Sequence, residues 1–394
     1  MDVNSTQALL GGLSANGFMR SHWQKRPLLV RQAWPGVTPP LERTALFELA
    51  GKDGVECRLV QRLGGPGAAT WRVRHGPLPR RALPPAARPG WTLLLQGLDL
   101  HCPAAHQMLG RFAFLPHARL DDLMMSWASD AGGVGPHLDS YDVFLLQVRG
   151  RRRWQVSAFV DLSQAACRPG LPLKILSNFQ PEQEWVLDPG DMLYLPPGWA
   201  HDGVAVGGDC MTCSVGFRAP AERALAAELL QRLADGIDDD DTQAGPGLPL
   251  RRARLYRDAR QPATLTPGAV PLPLQAFARQ AVSRLLSRPQ ALERALGEVL
   301  SEPKPQVWFE AGPGRAPRAG VCLAAGTRML YDERHVYVNG ESYRAGGRDA
   351  RLMRRLADSG KLSAGDCERL SPAALALLND WHGSGWLAPQ VPTP

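Results

Sequence analysis

The 394-residue chain has no run of eighteen apolar residues, so no segment reads as a transmembrane helix. Its N-terminus lacks a charged region leading into a long apolar stretch, which argues against a secretory signal. Cysteine is sparse. Seven residues, an odd number without framework spacing, fit a reducing cytoplasm better than a disulfide-stapled secreted fold. Cys210 and Cys213 form a CxxC, but no second pair accompanies it. On a strand those two thiols would face opposite sides, so no zinc site is expected there. Lysine is scarcer still, at five against forty arginines. The net charge of +7, from 45 basic and 38 acidic residues, is modest for this length. From Ser301 onward the chain holds 12 basic and 10 acidic residues, a balance unlike the basic face of a DNA reader. Direct nucleic-acid binding is therefore not supported. No internal repeat is visible, and 44% hydrophobic with 21% charged residues excludes wholesale disorder.

What the chain does have is Gly/Pro punctuation between short β-rich runs over residues 1–220. Trp91–Leu95, Val143–Val148, Arg153–Ala158, Trp185–Leu187, Met192–Leu195 and Met211–Phe217 read as strands. Ala45–Ala50 and Ala104–Phe112 read as helices packed outside the sheets. Many short strands with turns between them predict a mainly β sandwich or barrel with added helices. A second part, 221–300, is helical. Ala221–Ala234 carries Leu225, Leu229, Leu230 and Leu233 at helical spacing, and its end at Asp235-Gly236 leads into an acidic loop, Asp238–Asp241. A Pro/Gly-rich connector runs to about Pro273, and Leu274–Leu300 reads as a further helical stretch. Both stripes have little of their own segment to pack on, which predicts a two-fold homodimer. The third part, 301–394, shows Arg328–Tyr331, His335–Val338 and Glu341–Arg344 as strands, with a hairpin turn at Asn339-Gly340. Helical patterns follow at Asp349–Asp358 and Pro372–Trp381, giving a winged-helix-like tail.

The chemistry concentrates in two places. Gly135-Pro136-His137-Leu138-Asp139 puts an imidazole and a carboxylate two residues apart, on one face if the segment is a strand. Downstream, a strand over Met192–Leu195 runs into Pro196-Pro197-Gly198 and then reaches His201. Two histidines and one carboxylate make the facial triad of non-heme Fe(II) oxygenases, with positions left open for co-substrate and oxygen. Between them, Phe144–Val148 and Arg151–Ser157 read as a hairpin joined at Arg149-Gly150. Its register sets Gln147 opposite Arg152, so the face of His137, Asp139 and Tyr141 also carries Arg152, Trp154 and Val156. One arginine of three thus enters the cavity. A buried guanidinium beside a metal calls for a carboxylate, and a dicarboxylate such as 2-oxoglutarate supplies one.

Gly133–Trp154, Gly190–His201 and Ser214–Pro220 resemble the JmjC-type 2-oxoglutarate oxygenases, and more closely the bacterial ribosomal oxygenases among them. The resemblance implies a double-stranded β-helix (cupin or JmjC jelly roll) core over 1–220. It also implies a helical dimerisation segment over 221–300 and a winged-helix-like domain over 301–394. It implies Fe(II) on His137, Asp139 and His201, with 2-oxoglutarate and O₂ as co-substrates. Arg152 would hold the far carboxylate, and Ser126 would contribute to that pocket, while Ala128 stands where a second serine can occur. The implied activity is that of a dioxygenase hydroxylating an arginine of a large-subunit ribosomal protein. A guanidinium substrate would want a flat wall and polar contacts; Tyr141, Ser214 and Asp130 are the candidates. Two rivals stand beside this reading. One is the same chemistry on a histidine, asparagine or N-methyl group of another protein. The other is a non-enzymatic cupin-type sensor with a nucleic-acid-binding tail.

Overall fold

The structure, a computed structural model, describes residues 2–64, 70–242, 255–314 and 320–390. It divides into two compact units, one ending at Ala219 and one beginning at Pro220.

The first unit is mainly β. Its strands are β1 (Leu28–Val30), β2 (Cys57–Leu63), β3 (Thr70–His75), β4 (Trp91–Leu95) and β5 (Leu120–Ala128). They are followed by β6 (Asp142–Phe159), β7 (Gln183–Leu187), β8 (Met192–Leu195) and β9 (Trp199–Phe217). Among the described residues these form one antiparallel sheet in the order β1-β8-β6-β9-β5-β4-β2-β3, with β7 also paired to β6. Every residue of β4 and of β8 is buried. Strands so covered on both faces read as continuous apolar runs, which is why both were legible to the residue.

One face of the sheet packs on helices α1 (Ala15–Ser21), α2 (Arg43–Leu49) and α3 (Pro103–Leu109). Ser14 caps α1 by accepting from Gly17 N at 3.0 Å. Pro103 opens α3, where its missing N–H costs nothing. Phe18 of α1 is fully buried, with its ring centroid 5.7 Å from Phe144 and 4.9 Å from Tyr194. Tyr194 donates to Asp142 Oδ1 at 2.6 Å, and Arg119 and Gln24 donate to Oδ2 at 3.0 Å each. This buried carboxylate is therefore satisfied on both oxygens. The opposite face of the sheet lines a cavity.

The expected hairpin at Arg149-Gly150 does not form. β6 is one strand from Asp142 to Phe159, and β9 pairs with it at both ends, from Asp142↔Phe217 to Phe159↔Trp199. The ladder is irregular in the middle, between Gln147 and Arg151, where β9 loops out Gly207, Gly208 and Asp209. Gly150 adopts φ +62°, and a Cβ there would meet Asp209 O at 2.8 Å, so the close backbone approach demands glycine. The apparent turn is thus a bulge.

The second unit begins with α4 (Glu222–Thr242), α5 (Leu272–Leu286) and α6 (Ala291–Ser301). The backbone of Asp238–Asp241 continues α4 as helix and is not the expected loop. Part of the expected connector, residues 243–254, lies outside the described residues. The stretch read as Leu274–Leu300 is two helices, broken around Pro289, which cannot continue a helix. Strands β10 (Gly320–Leu323), β11 (Met329–Tyr331), β12 (His335–Val338) and β13 (Glu341–Arg344) follow. Helices α7 (Gly347–Ser359), α8 (Ala364–Cys367) and α9 (Pro372–Gly383) come next, interleaved with β14 (Lys361–Ser363) and closed by β15 (Leu387–Pro389). β11-β12-β13 form one small sheet and β14-β10-β15 another. Their core gathers Val321, Val336, Val338, Leu356, Leu378 and Trp381. No described helix is long and apolar enough to cross a membrane.

Phe18→Ala should cost the first unit about 3–5 kcal/mol, because it empties a fully buried aromatic site. Denaturant unfolding followed by near-UV circular dichroism would show that transition moved to lower denaturant.

Candidate active site

His201 lies near the start of β9 and is 2% exposed. His137 is outside any long strand, contrary to expectation, but forms an isolated antiparallel bridge with His201. His137 N donates to His201 O and His201 N donates to His137 O, each at 3.0 Å. Asp139 is held alongside, its carbonyl accepting from Gly198 N at 3.1 Å. The bridge thus does for three side chains what the predicted strand was expected to do for two.

Each imidazole is oriented by its own backbone. His137 Nδ1 contacts Gly135 O at 2.8 Å, and His201 Nδ1 contacts Trp199 O at 2.9 Å. A carbonyl can only accept, so both Nδ1 atoms carry the hydrogen and Nε2 is the nitrogen each ring turns to a metal. His137 Nε2 is 3.9 Å from Asp139 Oδ1, and His201 Nε2 is 3.6 Å from Oδ2. Burial, then the neighbouring His137, pushes the His201 pKa down to about 4, so its ring is neutral at pH 7. Two imidazoles and a carboxylate with donor atoms within 4.8 Å of one another fit a divalent metal. Among the described residues this is the one His/Cys/Asp/Glu group so arranged; the CxxC is not part of such a group, and its cysteines are free.

The three residues open into a cavity of about 520 Å³. β5 lines it with Asp122, Met124 and Ser126, and β9 with Thr212, Ser214 and Gly216, each set alternating as one strand face must. β6 contributes Val143 and Leu145, then Arg152 and Trp154. The switch from odd to even numbers is the work of the irregular ladder at Gly150. Arg152 therefore does face inward beside the histidines, as expected, although by a bulge and not a hairpin. It is 4% exposed, while Arg151 is exposed and Arg153 half-buried. Arg152 Nη2 reaches Ser126 Oγ at 3.5 Å, and its Nε has no partner. The Trp154 ring lies 5.6 Å from the guanidinium carbon and 5.7 Å from the His201 ring.

Tyr141 and Ser214 line the cavity as expected. Burial, together with the nearby Asp139 carboxylate, holds the Tyr141 hydroxyl proton on well above the usual phenol range. Asp130 is not in the site. It is exposed, off the cavity lining, and accepts from Gly207 N at 2.8 Å, where it caps the loop between the two halves of β9. Besides Asp139, the carboxylates that do line the cavity are Asp121 and Asp122, near the start of β5. Sequence reading passed over them, although the alternation Asp122, Met124, Ser126 carried the signal. Asp122 Oδ2 accepts from Gln96 Nε2 at 2.8 Å and from Gly97 N at 3.0 Å.

A curled antiparallel sheet with a His-x-Asp…His group in its cavity defines a JmjC-type oxygenase domain, and residues 107–225 match the JmjC domain family. The chain is 32% identical over 385 residues to the ribosomal protein uL16 3-hydroxylase of Escherichia coli K12, covering 94% of this chain and 96% of that one. It is 36% identical to a probable ribosomal oxygenase of Haemophilus influenzae, over 59% of this chain and 54% of that one. A solved structure of YcfD, a ribosomal oxygenase from E. coli in complex with cobalt and 2-oxoglutarate, matches with a TM-score of 0.77 at 29% identity. That match covers 95% of this chain and 98% of the other. Within the JmjC class, the chain belongs to the ribosomal oxygenase family.

Replacing His137 or Asp139 with Ala should weaken Co²⁺ binding by more than the roughly 10- to 100-fold that follows loss of a mere supporting partner. Titration of the purified variants by visible absorption would show it, with far-UV circular dichroism unchanged.

Proposed function

We propose that the protein is an Fe(II)- and 2-oxoglutarate-dependent dioxygenase that hydroxylates an arginine side chain of a large-subunit ribosomal protein. One observation carries the reading. A His–Asp–His donor set shares a cavity with a buried arginine whose Nε has no partner. The relative named a uL16 3-hydroxylase supports the substrate class, and the cobalt and 2-oxoglutarate complex of YcfD supports the co-substrate.

His137 Nε2, the Asp139 carboxylate and His201 Nε2 would hold the iron. Bound there with 2-oxoglutarate and O₂, iron supplies oxidation of an unactivated C–H bond, with 2-oxoglutarate leaving as succinate and CO₂. The chain's own work is positioning. Arg152 grips the distal carboxylate of the co-substrate, and Ser126 steadies both. Val143, Leu145, Trp154 and Ile175 wall the cavity with apolar surface and limit water. Asp122 replaces Asp130 as the carboxylate for the substrate guanidinium. Tyr141 offers that guanidinium a flat face, and Ser214 a hydroxyl.

The same reading extends to the second unit and to the cell. α5 has no buried residue, and Leu274, Val282 and Leu286 stay exposed on it. This supports a two-fold dimer built on the helical segment. The small sheet β11-β12-β13 with α7 and α9 supports a winged-helix-like tail. A ribosomal protein substrate supports a cytoplasmic location.

Two experiments test the function. Arg152→Ala should weaken 2-oxoglutarate use by on the order of 2–5 kcal/mol, the cost of removing one partner of a buried charged pair. Arg151→Ala and Arg153→Ala should change it little; equal losses at all three would reject the inward assignment of Arg152. Separately, ribosomal proteins from cells with and without the enzyme should differ by one added oxygen on an arginine, located by fragmentation mass spectrometry. Oxygen found only on histidine or asparagine would transfer the enzyme to the other substrate class.

A further inference from the structure

We infer that Thr92 is a further binding residue for the co-substrate, holding the distal carboxylate of 2-oxoglutarate together with Arg152 and Ser126. The inference rests on the reading of the cavity given above. Thr92 stands on β4, is 1% exposed and lines the cavity. Among the described residues its Oγ1 has no hydrogen-bond partner. Across the sheet it faces Val60 on β2 and Ala128 on β5, and Leu94 follows it on the same face. None of those side chains can give or take a hydrogen bond. Threonine is a good strand former, but so is valine, which has the same shape and strands no hydroxyl. A buried hydroxyl among apolar neighbours needs a partner, and the described residues supply none.

The second observation is that Arg152 is in the same position. Its Nε is buried without a partner, and its only hydrogen bond among the described residues is the 3.5 Å contact from Nη2 to Ser126 Oγ. Among the described residues Ser126 Oγ in turn has one other hydrogen bond, to Thr212 O at 3.5 Å. Three under-used polar groups thus line one cavity, and all of them suit one ligand. A carboxylate offers about four lone-pair sites on two oxygens. A bidentate guanidinium takes two of them, and two hydroxyls take the rest.

The register fits. Leu94 pairs with Ser126 and Thr92 with Ala128, so Thr92 and Ser126 are diagonal neighbours on one face. Such neighbours lie about 7–8 Å apart, a gap that one carboxylate with a hydrogen bond on each side can bridge. Ala128, opposite Thr92, adds only a methyl group and leaves that space open. Thr92 therefore supplies beside Ser126 a polar contact that Ala128 cannot make.

The test is calorimetric titration of the full-length, Co²⁺-loaded protein with two 2-oxo acids. One is 2-oxoglutarate. The other is 2-oxobutyrate, which keeps the metal-chelating end and lacks the distal carboxylate. Thr92→Val should weaken 2-oxoglutarate binding by roughly 10-fold or more, as expected for a hydrogen bond to a charged group, and leave 2-oxobutyrate within about two-fold. Thr92→Ser should restore most of the loss. A Thr92→Val protein that binds 2-oxoglutarate as the wild type does, or that loses both acids equally, overturns the inference. If valine is not tolerated, as judged by thermal unfolding, Thr92→Ala takes its place in the same comparison. Arg152→Ala, run in parallel, separates the two readings. If it alone loses 2-oxoglutarate, only the role of Thr92 fails. If it binds normally too, the reading of the cavity fails.

Discussion

The site depends on one pair of backbone hydrogen bonds, the reciprocal bridge between His137 and His201. An antiparallel bridge of this kind puts both side chains on the same side at close range. The ring centroids are 4.3 Å apart, which no pair of flexible loops would hold. Asp139 is then carried to the same side by its two-residue offset and fixed by Gly198. The bridge in turn requires the chain before His137 to lie flat on β9. A Cβ on Gly133 would sit 2.6 Å from Gly203 O, so only glycine permits that approach. The glycines ahead of the His-x-Asp motif are part of the metal geometry.

Arg152 imposes the complementary constraint. Burying a guanidinium without an anion is costly, and the fold keeps it inward by a deformation that bends both β6 and β9 at one level. Gly150, Gly207 and Gly208 all take positive φ there. Without that bulge the alternation that faces Val143 and Leu145 inward would turn Arg151 and Arg153 to the cavity instead. This irregular part of the ladder is thus tied to the choice of one arginine from three.

This explains what was legible in the sequence and what was not. β4, β8 and β12 were readable to the residue because each is a short buried run between turn signals. His137, Asp139 and His201 were readable because motif spacing and the Pro-Pro-Gly bend pointed to one face. The path of β6 was not. Arg149-Gly150 looks like a two-residue turn, and only the partner strand reveals that the chain goes straight on. The inward face of Arg152 survived because a hairpin and a one-residue bulge happen to change parity alike. Asp130 failed for a different reason. Nearness in sequence to the motif was taken for nearness to the cavity, whereas β5 delivers its carboxylate from the far end of the strand. Pro289 was a plain signal, overridden by the apolar stripe on either side of it.

The placement of charge then sorts the ligands. Asp122 and Ser126 share one face of β5, four residues or roughly 13 Å apart along the strand. A buried cation stands with Ser126, and carboxylates stand at the Asp122 end. His137, Asp139 and His201 line the same cavity. An anion carrying a chelating end is drawn toward Arg152 with that end left for the metal. A cationic side chain is repelled from that end and held at the other. In this proposed arrangement the two ligands approach the metal from opposite poles, so neither can occupy the other's seat. Charge reversal at Asp122 would therefore disturb substrate selection and leave the 2-oxo acid end intact, because that end lies four residues further along β5 and is organised around the opposite charge.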